Sequence, residues 1–168
     1  MRIIGIDPGV AITGYGVVDE VKGSFLRVAS GCIRTNQKLP PATRLEQIFH
    51  RIRALIGDFK PQAIALEKLF FNKNTRTALQ VGEARGIVIL AAALNKVDLF
   101  EYTPLQVKQA VAGYGRAEKD QVQRMVKLLL QLPQQPAVDD EADALAVALC
   151  HLQHRRWNDA VRRGGGRP

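Results

Sequence analysis

The sequence predicts an α/β domain built on a mixed five-stranded sheet. Three β-rich runs open the chain with only short connections between them, which is the pattern of an antiparallel meander. From there on, stretches of helical spacing alternate with short apolar runs, as in crossover connections that return the chain to one sheet. The 168 residues, 46% of them apolar, suit one compact domain with a substantial core.

"MRIIGID" (1–7) is short, apolar and rich in β-branched residues, and reads as a buried strand. "TGYGVVD" (13–19) is a second strand whose glycines let backbones or ligands approach, and "SFLRVASGCIRT" (24–35) is a third. In "PPATRLEQIFHRIRALIGDF" (40–59), Leu45, Ile48, Phe49, Ile52, Leu55 and Ile56 recur at helical spacing, and Pro61 marks the end of that helix. "QAIALE" (62–67) is the fourth strand. "LFFNKNTRTALQVGEARGIVILAAALNK" (69–96) starts as a loop and becomes a long, largely buried helix, with Gly82 and Gly86 one turn apart. "VDLFEY" (97–102) is the fifth strand, and "TPLQVKQAVAG" (103–113) is a short helix with Pro104 in its first turn. "AEKDQVQRMVKLLLQL" (117–132) and "VDDEADALAVALCHLQHRRW" (138–157) are the last two helices. The basic Gly/Arg-rich tail, 158–168, is expected to be disordered, leaving residues 1–157 as the folded domain.

A net charge of +8 favours a polyanionic partner, although part of it sits in the tail. The longest apolar stretch, "GIVILAAAL", is far short of a membrane span, and no basic-then-apolar leader precedes the first strand, so a cytoplasmic protein is expected. Cys32 and Cys150 stand far apart with no ligand-like spacing, which argues against a zinc site and for buried free thiols.

The chemistry lies in the acids. Asp7 ends one apolar strand and Glu67 ends another. If the two strands are parallel neighbours, their C-terminal ends lie side by side, where open α/β sheets place their sites. Asp140 and Asp143, three residues apart at the start of the last helix, share a face, though Asp139 with Asp143 is an equally helical pairing. Alone, Asp7 could cap the Pro8–Gly9 turn, and acids at a helix start are ordinary partners of the helix dipole. Together, four carboxylates in one cleft would repel, and oxygen-only ligands of this kind suit Mg²⁺ or Mn²⁺. After Glu67, the adjacent aromatics Phe70 and Phe71 sit in a polar, basic loop from which they could stack on or wedge between bases. Lys73, Arg76, Lys108, Arg116 and Lys119 are candidates for phosphate contacts, and His151 reads as structural.

"GIDPGVAITGYGVV", "ALEKLFFNKNTRTALQVGEARGIVI", "YTPLQVKQAVAGYGRAEKDQVQRMV" and "DEADALAVALCH" resemble, in order and spacing from about residue 2 to 154, the RuvC Holliday-junction resolvases. The resemblance implies a ribonuclease-H-like fold and a metal-dependent crossover junction endodeoxyribonuclease that makes paired symmetric nicks in recombination and repair. It implies Asp7, Glu67, Asp140 and Asp143 as the catalytic, metal-holding carboxylates, and its spacing favours Asp140 over Asp139. It points to Phe70 as the wedge and draws Lys108 and Lys119 near the acids. Two Mg²⁺ ions per site, with Mn²⁺ as a substitute and ~4 Å apart, would serve an in-line displacement at phosphorus. Four-way junction DNA is the implied substrate, a homodimer the implied assembly, and RuvA and RuvB the implied branch-migration partners; the small-residue helix around "GEARGIVILAAAL" reads either as the dimer interface or as a helix packed on the chain's own sheet.

Three other readings compete. An actin- or hexokinase-like ATPase would need two such domains, and this chain has room for one. A related ribonuclease-H-like nuclease acting on RNA would not explain "LFFNKN" or "VKQAVAGYGRAEK". A non-catalytic junction-binding protein would gain nothing from four acids, which weaken binding to phosphates.

Overall fold

The computed structural model describes residues 1–68 and 75–163. Ten elements follow one another: β1 (Arg2–Asp7), β2 (Ile12–Val21), β3 (Ser24–Arg34), α1 (Pro41–Phe59), β4 (Ala63–Glu67), α2 (Thr75–Leu94), β5 (Asp98–Tyr102), α3 (Pro104–Ala112), α4 (Lys119–Leu129) and α5 (Asp139–Arg163). The sheet order is β3-β2-β1-β4-β5. β1, β2 and β3 form the antiparallel meander, while β4 pairs parallel with both β1 and β5. The mixed five-stranded sheet expected from the sequence is the one observed.

Side chains alternate between faces along a strand, so each strand feeds two cores. Ile4, Ile6, Ile64 and Leu66 pack with Ile48, Ile52 and Ile56 of α1 and with Ala84 and Val88 of α2. Ile3, Val18, Ala63 and Ala65 face the other way, against α5, with α3 and α4 closing that layer through Val107, Val111, Val122 and Val126. Where α5 comes nearest, the strand residues beneath it are glycines: Gly5, Gly14 and Gly16. An added Cβ on Gly5 would come 2.0 Å from the Ala144 carbonyl oxygen, so α5 lies almost on the backbone of β1.

Local chemistry fixes the helix ends near the site. Thr103 caps α3: its Oγ1 accepts from the Gln106 N–H at 3.1 Å, while Gln106 Oε1 accepts from the Thr103 N–H at 2.8 Å. Pro104 follows at the first helical position, where its missing N–H costs no hydrogen bond. At the start of α4 the Glu118 N–H donates to Gln121 Oε1 at 3.0 Å, so Lys119 opens that helix in a fixed position.

Two expectations are corrected. α5 continues through Arg163, so residues 158–163 are helical and the boundary expected at 157 is not the helix end. The Arg155–Asp159 pair at 3.6 Å, one turn apart, supports that extension. Cys150 is buried, but Cys32 is only half-buried; both are free. Among the described residues no helix is long and apolar enough to cross a membrane.

Candidate active site

The register alone brings the two strand-end acids together. Ile6 pairs with Leu66 across the parallel β1–β4 ladder, so Asp7 and Glu67, the next residue on each strand, lie side by side. Counting by twos from Ile3 and Gly5 puts Asp7 on the α5 face, and counting from Ala63 and Ala65 puts Glu67 there too. The first turn of α5 arrives at the same edge. Gly14, opposite Asp7 on β2, makes room for it: a Cβ at Gly14 would stand 1.9 Å from the Asp140 carbonyl oxygen.

The electrostatics reports this convergence. The Asp7 carboxyl is pushed up to about 7, first by burial and then by the charges of Asp143, Asp140 and Glu67. Burial and the Asp143 charge also raise Glu67, while Lys108 and Lys119 draw it back. Asp143 is raised by burial and lowered in part by Lys119. Asp139 takes no part in the Asp7 shift. It sits on the outer side, held below the usual carboxylate range by the Gln123 amide and then by Lys119.

Among the described residues Lys119 is the cation nearest the acids: its Nζ stands 3.1 Å from Asp139 Oδ2 and 3.2 Å from Asp143 Oδ2. Lys108 and Lys119 line, with Glu67 and Asp143, a recess of about 230 Å³ whose remaining lining is apolar and includes Val107 and Val122. Arg116 is exposed on the α3–α4 connection, three residues before Lys119, and does not line that recess. Phe70, Phe71 and Lys73 lie outside the described residues. Arg76 falls in the first turn of α2, and its side chain is likewise outside them. His151 does not join the acids: it is 4% exposed, its Nδ1 is 2.8 Å from Tyr102 Oη, and burial, then the Arg155 charge, push it down to about 4.

Four carboxylates are a hard-oxygen donor set, matched to a divalent cation rather than a soft metal. Among the described residues no three acid, histidine or cysteine side chains already stand around one common point. Asp143 is turned toward the Lys119 ammonium, and Lys108 and Lys119 both act on Glu67. The raised Asp7 carboxyl marks a positive charge still owed to the cluster, so the donor chemistry fits a metal.

Sequence reasoning did not single out Thr13 and Glu141. Thr13, fully buried, donates through Oγ1 to the Gly9 carbonyl at 2.7 Å and holds the turn that follows Asp7. Glu141 accepts from Ser30 Oγ at 2.6 Å and ties the start of α5 to β3. A threonine inside the glycine-rich turn was the only signal for the first; nothing local to the sequence pairs the second.

Acids at the C-terminal ends of two parallel strands, completed by a helix across the same face, define a class: nucleases of the ribonuclease-H-like fold, which generally need divalent metal. The sequence model of the crossover junction endodeoxyribonuclease RuvC family matches residues 3–151. A RuvC of Pelotomaculum thermopropionicum is 57% identical over 157 residues, covering 94% of this chain and 96% of that protein. The structure of Thermus thermophilus RuvC in complex with Holliday junction substrate superposes with a TM-score of 0.89 at 36% identity, covering 94% of this chain and 96% of that one. The yeast mitochondrial Holliday junction resolvase Ydc2, at 13% identity, shares the fold with a TM-score of 0.71 over 97% of this chain and 84% of its own. The chain belongs to the RuvC family of crossover junction endodeoxyribonucleases.

Proposed function

We propose that this chain resolves Holliday junctions by paired symmetric nicks, hydrolysing phosphodiester bonds with Mg²⁺ held by Asp7, Glu67, Asp140 and Asp143. The observation that carries the site is the convergence at one sheet edge: the Ile6–Leu66 pairing sets Asp7 beside Glu67, and Gly14, opposite Asp7, admits the first turn of α5 with Asp140 and Asp143. Two such ions, or Mn²⁺ in their place, would activate a water and stabilise the leaving oxygen. The protein supplies the rest. Lys108 and Lys119, on either side of the acids, hold the scissile phosphate, and Arg116 meets the backbone farther out. The apolar wall behind Glu67 and Asp143 keeps loose water from the reacting phosphorus. Phe70 would act as the wedge, and Phe71, Lys73 and Arg76 are further candidates for contacts with the DNA.

A four-way junction presents two equivalent strands, so a C₂ homodimer with two sites meets it with matching symmetry. RuvA and RuvB, the branch-migration proteins, are the partners implied by family membership, and the cytoplasm, where the DNA lies, is the place of action.

The test is cleavage of a synthetic four-way junction, with linear duplex and RNA beside it, in Mg²⁺ and in EDTA. Symmetric, metal-dependent nicks in the junction alone are expected, and Asp7→Asn is expected to abolish them while junction binding persists. Turnover by Asp7→Asn near the wild-type rate would overturn the assignment.

A further inference from the structure

Asp139 belongs to no part of the mechanism above, yet it is well tied. Its Oδ2 is 3.1 Å from Lys119 Nζ, and its Oδ1 accepts from Gln123 Nε2 at 2.9 Å. Lys119 and Gln123 are one turn apart on α4, so Asp139 clasps that helix at two points. The same Nζ is 3.2 Å from Asp143 Oδ2. One ammonium therefore stands between an outer carboxylate, whose side chain is 67% exposed, and an inner one at 35% that belongs to the acid cluster.

We infer that Asp139 is a positioning residue: it holds the Lys119 ammonium at the rim of the site, so that Asp143 can turn its carboxylate to a divalent cation. This rests on the metal-site reading of Asp7, Glu67, Asp140 and Asp143. The physical reason is competition for Asp143. An ammonium and a divalent cation cannot share one carboxylate at close range without strong repulsion. If Asp143 were the only partner of Lys119, releasing it would strand the ammonium, and the lysine would resist the metal. With Asp139 already in contact, Lys119 gives up one of two bonds and keeps the other, facing the incoming phosphate. Asp140 does not share this role: the carboxylates in contact with the Lys119 ammonium are those of Asp139 and Asp143.

The role is read from metal affinity, without cleavage. Free Mn²⁺ is counted by electron paramagnetic resonance during titration of the full chain, for wild type, Asp139→Asn, Lys119→Met and the double variant. Asp7→Asn is titrated in parallel. Asparagine keeps an acceptor for Gln123 and a good residue for a helix start, and circular dichroism checks that each variant is folded. Asp139→Asn is expected to weaken Mn²⁺ binding about two- to fivefold, the range of an exposed ion pair. In the Lys119→Met background, which has no ammonium to strand, the same change is expected to have no effect. An unchanged affinity in Asp139→Asn, or an equal loss with and without Lys119, overturns the positioning role while leaving the metal site standing. The second result would mean that Asp139 acts only as one more negative charge. Wild type failing to bind Mn²⁺, or Asp7→Asn binding it as tightly as wild type, overturns both readings.

Discussion

In the proposed site, Asp7 is where the folded chain gives up stability for chemistry. Its carboxyl ordinarily titrates at 3.8 and in the fold is pushed up to about 7, by burial first and then by three neighbouring acids. A folded-state value above the unfolded one means that the folded chain holds its proton more tightly. The contribution of this carboxyl to stability is then greatest below pH 4, falls as pH rises toward 7, and is level above that. A shift of ~3 units corresponds to about 4 kcal/mol, an upper bound because neighbouring acids relax when one is removed. In EDTA, Asp7→Asn should therefore melt higher than wild type at pH 8, and the gap should close toward pH 4.5. Added Mn²⁺ should raise the wild-type melting temperature and leave the variant unmoved. A variant less stable than wild type at pH 8 in EDTA would contradict this account. The acids at the strand ends were legible in the sequence because a charge closing an apolar run demands a partner. Helical spacing alone did not choose between Asp139 and Asp140, and only the family resemblance favoured Asp140; in the fold Asp139 is turned to Lys119, twenty residues upstream on another helix.

At the level of elements, the site depends on how near α5 comes to the sheet. Gly5 and Gly14 remove the side chains that would hold it away, and at Gly14 the obstacle is backbone, the Asp140 carbonyl, which cannot rotate aside. Gly14→Ala must push the first turn of α5 outward, moving Asp140 and Asp143 away from Asp7. Overpacking of this kind costs roughly 1–3 kcal/mol, so a lower melting temperature and a large loss of cleavage should appear together. Gly57→Ala is the control: it lies exposed in α1 with nothing within 4 Å of the added atom, and helix preference predicts a neutral or slightly positive effect. Equal cleavage by wild type and Gly14→Ala would show that the close approach is not needed. The meander, the crossovers and the sheet were readable because alternation and helical spacing differ plainly. The reach of α5 to Arg163 was not, because "NDAVRR" carries a polar pattern that a solvated helix and a tail share.

At the scale of the whole molecule, α2 has a face that the described residues leave uncovered. Leu79, Leu90 and Leu94 are 68%, 48% and 63% exposed along one stripe of the helix, with Gly86 among them and open space beyond it, interrupted only by Glu83. Three large apolar side chains in a row on a chain of +8 charge are costly in water, and a substrate with two equivalent strands asks for two copies. If the stripe is the seam of the homodimer, Leu90→Glu with Leu94→Glu places like charges across the axis and should split it. These side chains take little part in either core, so the fold should survive, with circular dichroism unchanged. Light scattering at micromolar concentration should fall from the mass of two chains to that of one. On a four-way junction the separated chains should leave single nicks, because each carries one site and nothing couples the second cut to the first. A double variant that stays dimeric places the seam elsewhere, and a wild-type chain that is already monomeric removes the homodimer altogether.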